Sequence, residues 1–204
     1  MTQISAGFFY TCAVVSGKGF CWGYESGYGG LGNGGTSTEY VPTAVSTSGV
    51  LANVTLTQIS AGAGYYTTCA LGGGKAYCWG YNGDGELGDN HAENYSLTPV
   101  AVSASGVLNN VVLSQISSGN AHVCAVGGGK AYCWGYNVFG ELGTGNFNTP
   151  AYVPVAVLQT SGVLRGRSIQ QIAAGGDQFT IAVASCTAPS PYVQNTNPPG
   201  CSTQ

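Results

Sequence analysis

A twelve-residue stretch occurs three times in this chain, at Cys12–Gly23 (CAVVSGKGFCWG), Cys69–Gly80 (CALGGGKAYCWG) and Cys124–Gly135 (CAVGGGKAYCWG). In each copy two cysteines bracket a Gly-Lys step, and Trp-Gly is built on the second cysteine. Placing Cys69 opposite Cys78 in an antiparallel hairpin sets Ala70 against Tyr77 and Leu71 against Ala76. Residues 72–75 are then expected to form a four-residue glycine-rich loop. The same register sets Cys124 against Cys133, and Cys12 against Cys21 with Ala13 facing Phe20. Opposed Cβ atoms in a sheet lie about 4.5–5.5 Å apart and a disulfide needs about 3.5–4.5 Å, so a bridge fits at a close, non-hydrogen-bonded pair. Closing a loop of about ten residues this way contributes about 2.5–3 kcal/mol in the chain-entropy account. Side chains alternate along a strand, so Tyr77 and Trp79 share the face opposite the cysteines. Trp22, Trp79 and Trp134 are thus expected to be structural packing residues.

The hairpins sit in a longer repeat. Ile4-Ser5-Ala6-Gly7, Ile59-Ser60-Ala61-Gly62, Ile116-Ser117-Ser118-Gly119 and Ile172-Ala173-Ala174-Gly175 open four units. Each of the first three continues through the cysteine hairpin to a turn ending in Leu-Gly (Leu31-Gly32, Leu87-Gly88, Leu142-Gly143). A polar loop follows, then a strand-like run around Pro42, Pro99 or Pro154, and a Ser-Gly-Val-Leu bend compatible with a single helical turn. About four short β-segments per unit, with no amphipathic helix, predict an all-β chain of propeller blades. The expected repeats are 4–58, 59–115, 116–171 and a partial unit 172–184, giving about 3.5 four-stranded, disulfide-stapled blades in region 1–184.

The pattern Ile-Ser-Ala-Gly, Cys-Ala-Leu, Tyr-Cys-Trp-Gly-Tyr-Asn and Gly-Glu-Leu-Gly resembles the regulator-of-chromosome-condensation repeat. With cysteines flanking the hairpin, it is similar to the secreted bacterial branch of that family. The resemblance covers nearly all of residues 2–184 and implies a β-propeller, usually of seven blades, so this array is incomplete against such a ring. It implies no single function, because such propellers serve as exchange factors, photoreceptors, inhibitors and surface modules. The fourth unit reads Phe179-Thr180-Ile181-Ala182-Val183-Ala184 and lacks the Cys-Trp-Gly half. Residues 185–204 break the pattern with prolines and two cysteines, and are expected to form an extended tail looped back by a Cys186–Cys201 bridge. That tail is expected to cap the last blade or reach a neighbour.

Only 6% of residues are charged, against about 25% in a usual soluble domain, and the net charge is −3. The five cations are Lys18, Lys75, Lys130, Arg165 and Arg167. Three of them sit one per hairpin turn, so no phosphate-neutralising patch forms and nucleic acid is not an expected partner. Eight cysteines, six of them in regular pairs, suggest an oxidising compartment. The CxxC spacings of zinc sites are missing, and no metal or other cofactor is expected. No membrane-spanning run and no signal peptide stand out, and the chain opens inside a repeat, which leads us to expect a removed leader or a longer parent chain.

The search for chemistry returns little. His122 takes the place of Tyr10 and Thr67 before the hairpin cysteine, which favours a structural role; His91 lies in a variable polar loop. The oxygen-rich run from Asn82 to Asn90 is not preserved at Asn137–Glu141, so it is read as turn chemistry in place of a calcium loop. Glu86 and Glu141, at matching positions, are expected to accept backbone N–H bonds. Asn53-Val54-Thr55 and Asn94-Tyr95-Ser96 are sequons, making Asn53 and Asn94 candidate glycosylation sites. The expectation is a non-catalytic extracellular or cell-surface module, a subunit of a larger assembly or filament, that binds copies of itself or another surface protein. The alternative is a secreted inhibitor or lectin-like propeller gripping a protein or glycan through the loops Tyr24–Tyr40, Tyr81–Leu97 and Tyr136–Tyr152.

Overall fold

The computed structural model describes residues 2–64, 66–91, 93–176 and 179–186, with Cys186 described by its backbone alone. Three four-stranded antiparallel meanders follow one another: β1 (Gln3–Ala6) to β4 (Glu39–Ala44), β5 (Leu56–Ala61) to β8 (Tyr95–Ala101), and β9 (Leu113–Ser118) to β12 (Ala151–Ala156). The intervening strands are β2 (Tyr10–Val15), β3 (Lys18–Gly23), β6 (Thr68–Gly72), β7 (Lys75–Tyr81), β10 (His122–Gly127) and β11 (Lys130–Gly135). A two-stranded half-blade, β13 (Arg167–Ala174) and β14 (Thr180–Cys186), ends the described array. This is the expected series of three and a half blades. The expected Cys186–Cys201 bridge and the tail beyond residue 186 lie outside the described residues.

The hairpin register matches the sequence reading in all three blades. Cys12 faces Cys21, Cys69 faces Cys78 and Cys124 faces Cys133, and each pair is bridged with its Cα atoms 4.1 Å apart. The loop is shorter than expected. Gly72 pairs with Lys75, leaving only Gly73 and Gly74, both at positive φ, as a two-residue turn. Two successive left-handed residues twist the turn to match the strands, which a four-residue loop does not require. Counting outward from the Gly72–Lys75 pair, alternation makes Cys69–Cys78 a non-hydrogen-bonded pair, the narrow kind a disulfide needs.

At the same end of each blade as the hairpin turn, the Ser-Gly-Val-Leu bends form short 3-10 turns at Gly49–Leu51, Gly106–Leu108 and Gly162–Leu164, and the strands that follow begin with hydrogen bonds to Gly17, Gly74 and Gly129. Gly49, Gly106 and Gly162 take positive φ, turning the chain from the outer strand of one blade to the inner strand of the next. Leu51 and Leu108 close the bottom of the cores between blades. The strands β1, β5, β9 and β13 lie side by side along the inner rim, while β4, β8 and β12 form the outer edges.

Candidate functional site: the two ends of the blade stack

One rule builds the two junctions between complete blades, and the half-blade meets the third cysteine face with aliphatic side chains alone. The cysteine face of a blade packs against the aromatic face of the next. In the first junction Cys12, Val14, Cys21, Leu31 and Val45 meet Ile59, Ala70, Tyr77 and Trp79. In the second, Cys69, Leu71, Cys78 and Leu87 meet Ile116, Ala125, Tyr132 and Trp134. In the third, Cys124, Val126, Cys133 and Leu142 meet Ile169, Ile172, Ala182 and Ala184. The bridge supplies a flat, compact apolar surface that admits the large indole and phenol rings of the neighbour.

Polar groups fix the spacing of the blades. Gln3 Oε1 accepts the Ile59 N–H (2.6 Å) and Ser5 Oγ accepts the Ala61 N–H (3.0 Å). Gln58 and Ser60 do the same for Ile116 and Ser118, and Gln115 and Ser117 for Ile172 and Ala174. The outward N–H groups of each inner strand are thereby satisfied by the preceding blade. Tyr10 donates its hydroxyl to the Thr67 carbonyl and accepts the Gly62 N–H, and burial raises its pKa. His122, at the matching place, lies 2.9 Å from Thr180 Oγ1, and burial pushes its pKa down to about 4. It is buried at the junction between the third blade and the half-blade.

The Leu-Gly turns hold the indoles. Trp79 Nε1–H donates to the Gly30 carbonyl (3.0 Å) and Trp134 Nε1–H to that of Glu86 (2.8 Å). A Cβ on Gly32 or Gly88 would lie 2.5 Å or 2.8 Å from the indole, so the ring rests directly on glycine backbone. The turns are braced from below. Asn82 Oδ1 accepts the Leu87 N–H and Glu86 Oε2 the Asp84 N–H; Asn137 and Glu141 repeat this at Leu142 and Phe139. The two glutamates do accept backbone bonds within their blades. Burial pushes the Glu86 carboxyl up to about 8, with Oε1 buried and without a hydrogen-bond partner. Sequence reading missed Glu25: where Gly30 replaces the glutamate, Glu25 replaces the asparagine and accepts the Gly27, Gly29 and Leu31 N–H groups by itself. The signal was a lone acid in a charge-poor chain, one turn ahead of Leu-Gly.

The stack ends on two unlike surfaces. The first blade presents its aromatic face outward, with Ile4 54% exposed where Ile59 and Ile116 are buried, and Phe20 and Trp22 only partly covered. The half-blade presents the other kind. In β13–β14 the pair Ala173–Ile181 takes the place of Ser60–Cys69, so Ile181 stands where the other blades carry a cysteine. Ile181 is 57% and Val183 55% exposed. Gln171 keeps the latch position and is exposed, while Ala173 replaces the latch serine.

The structure also gathers part of the predicted tyrosine loops. Tyr28 lies against Tyr81 (5.2 Å between ring centroids), Tyr95 and Tyr66, and Tyr66 against Phe9 and Tyr24. Tyr136 meets Phe139 (6.4 Å between ring centroids), and Tyr40 stands exposed. Asn53 and Asn94 are both exposed. Asp89 pairs with His91 at 3.3 Å, and no group of three or more His, Cys, Asp or Glu gathers among the described residues. No described helix is long and apolar enough to cross a membrane.

Short meanders stacked face to face around an inner rim of first strands define an arc of a β-propeller whose end blades expose Ile4 on one side and Ile181 and Val183 on the other. Residues 73–126 and 128–183 match the regulator of chromosome condensation (RCC1) repeat, and the chain belongs to that family. It is 34% identical to the ultraviolet-B receptor UVR8 of Arabidopsis thaliana over 76% of its own length and 33% of that protein. It is 29% identical to the human E3 ubiquitin-protein ligase HERC2 over 88% of its length and 4% of that protein. Among solved structures it superposes on human WBSCR16 (TM-score 0.76, 21% identity, 89% of this chain and 44% of that one). It superposes similarly on yeast RCC1 (Prp20) bound to Kap60 (TM-score 0.74, 22% identity, 92% and 42%). The chain spans about a third of UVR8 and of the mitochondrial RCC1 domain-containing protein RUG3 of the same plant.

Proposed function

We propose that this chain is a non-catalytic interaction module that joins copies of itself head to tail through its two end blades, as a subunit of an extracellular or cell-surface assembly. The observation that carries the reading is the pairing of unlike end faces. Each junction between complete blades joins a cysteine-type face to an aromatic face, and the ends expose one of each. A contact of that kind is heterologous: it closes into a ring if its rotation permits and otherwise propagates as a filament. Exposed apolar patches rimmed by polar groups mark protein contacts, and yeast RCC1, a protein of this fold, is found bound to Kap60. The oxidising setting rests on the three buried bridges and the charge-poor composition. The Glu86 carboxyl and the His122 imidazole, both with displaced pKa values, are engaged in packing, which supports a role without catalysis.

The test is sedimentation velocity of the 204-residue chain across a hundredfold range of concentration. Species growing in steps of one chain mass support the reading, and a single monomer boundary throughout contradicts it.

A second reading, capture of a protein or glycan by the tyrosine loops, is favoured by the run of rings from Phe9 through Tyr24, Tyr66 and Tyr28 to Tyr81. Phe9, Tyr24 and Tyr95 are about half exposed and offer rigid amphipathic contact area. Replacing Tyr24 and Tyr28 by Ala should abolish retention on a glycan array or on surface protein while leaving sedimentation unchanged; loss of assembly instead would assign these rings to the first reading.

A further inference from the structure

The half-blade leaves the third Leu-Gly turn without the indole that the first two turns hold. In the first two junctions the Leu-Gly turn of one blade cradles a tryptophan delivered by the third strand of the next. The third turn, Glu141-Leu142-Gly143, is built in the same way: Asn137 and Glu141 brace it, Leu142 is buried, and Gly143 holds the same positive φ as Gly32 and Gly88. Yet no indole rests on it. A Cβ on Gly143 would meet only Val157, at 3.2 Å, where the same atom on Gly32 or Gly88 would strike the ring.

A cavity of about 260 Å³ lies there instead, lined by Leu142, Gly143, Val157, Leu158, Thr180 and Ala182. The register identifies what is missing. Thr68 pairs with Trp79 and Ala70 with Tyr77, so the partners of Thr180 and Ala182 would be a tryptophan and a tyrosine two residues apart. Thr180 Oγ1 already donates to the Glu141 carbonyl (3.0 Å), as Thr68 does to Gly30, whose carbonyl also takes the Trp79 N–H. A carbonyl oxygen has room for both donors. Among the described residues β14 pairs only with β13, leaving one edge open for a strand. Residues 187–204 contain no tryptophan.

We infer that β14 and the third Leu-Gly turn form a receptor for an extended segment of a partner protein that carries Tyr-x-Trp-Gly, added antiparallel to β14 with its indole on Gly143 and its phenol over Ala182. The segment completes the fourth blade. Backbone pairing supplies the attachment, and the aromatic pair supplies the selectivity. The site is distinct from the exposed Ile181 and Val183 surface, because successive strand residues point to opposite sides of the sheet.

The probe is a synthetic peptide with the sequence of residues 128–136 bearing Cys133→Ser, compared with the same peptide carrying Trp134→Ala as well. Binding is followed by fluorescence anisotropy, and hydrogen exchange reports on residues 180–186. The experiment uses the full chain with Trp22→Glu, which blocks head-to-tail contact and leaves this site intact, so its outcome is separate from that of the self-association reading. The expected result is saturable 1:1 binding, weakened at least tenfold by the Trp134→Ala change, with slowed exchange along β14. Gly143→Val on the protein, which sets a side chain where the indole rests, should remove binding; Gly162→Ala, whose Cβ meets open space at a similar φ outside this cavity, should preserve it. Equal affinity for the two peptides, binding without protection of β14, or no binding of either at millimolar concentration overturns the inference.

Discussion

Three tryptophans occupy equivalent places in the repeat, and their surroundings set them apart. Trp79 and Trp134 are completely buried against the preceding blade, while Trp22 is partly exposed on the first. Replacement by alanine at Trp79 or Trp134 should cost about 3–5 kcal/mol, since it opens a large cavity and orphans a turn carbonyl. Trp22→Ala should cost less, about 1–3 kcal/mol in the monomer, since part of the side chain already meets solvent. Urea unfolding of the variants under conditions that keep the chain monomeric checks the difference. Two buried titrating groups act in opposite senses. Glu86 rises from 4.5 to about 8, so its full contribution is present below pH 4.5 and is lost as pH climbs through 8, where the unfolded chain has released a proton the folded one retains. His122 falls from 6.5 to about 4, so its contribution is full above pH 6.5 and is lost as pH drops toward 4. The slopes oppose each other between pH 4.5 and 6.5, giving a broad stability maximum there. A tenfold difference in proton affinity between the folded and unfolded chain corresponds to about 1.4 kcal/mol, so Glu86→Gln should visibly flatten the decline between pH 6.5 and 8 in thermal or urea unfolding.

Each hairpin places its bridge inside a junction. All six sulfurs of the described pairs are inaccessible, although each pair sits in an exposed-looking twelve-residue motif. A thiol reductant in native buffer should therefore leave these six cysteines unalkylated, and in denaturant it should expose all of them, as peptide mass mapping with iodoacetamide would report. Alkylation of Cys69 and Cys78 in native buffer at the rate seen in denaturant would contradict the packing. At this level the sequence was highly informative. Paired cysteines at constant spacing set the register, and alternation set the two faces, because β-structure has a period of two. The two-residue turn escaped notice because Gly-Gly-Gly-Lys does not reveal which glycines take positive φ. Gln3, Gln58 and Gln115 escaped it as well: their role is to cap N–H groups on the next blade, and a contact across more than fifty residues leaves no local pattern. Nor could the ring cluster be read from sequence, since only the blade geometry brings Tyr28, Tyr66 and Tyr81 together.

Across the whole molecule, the repeat creates direction. Both junctions between complete blades read cysteine face to aromatic face, and the third sets a cysteine face against the aliphatic half-blade, so the stack has a head and a tail that cannot pair with their own kind by the same contacts. Trp22→Glu should disable the aromatic end and Ile181→Glu the other, since a buried unpaired charge opposes association strongly. Each variant retains one competent face. Mixing them is thus the most direct measurement of the central claim, read by sedimentation or mass photometry. The account predicts that either variant alone is monomeric and that an equimolar mixture forms a heterodimer and nothing larger. Continued growth of a single variant, or a mixture that stays monomeric while the unmodified chain assembles, would contradict it.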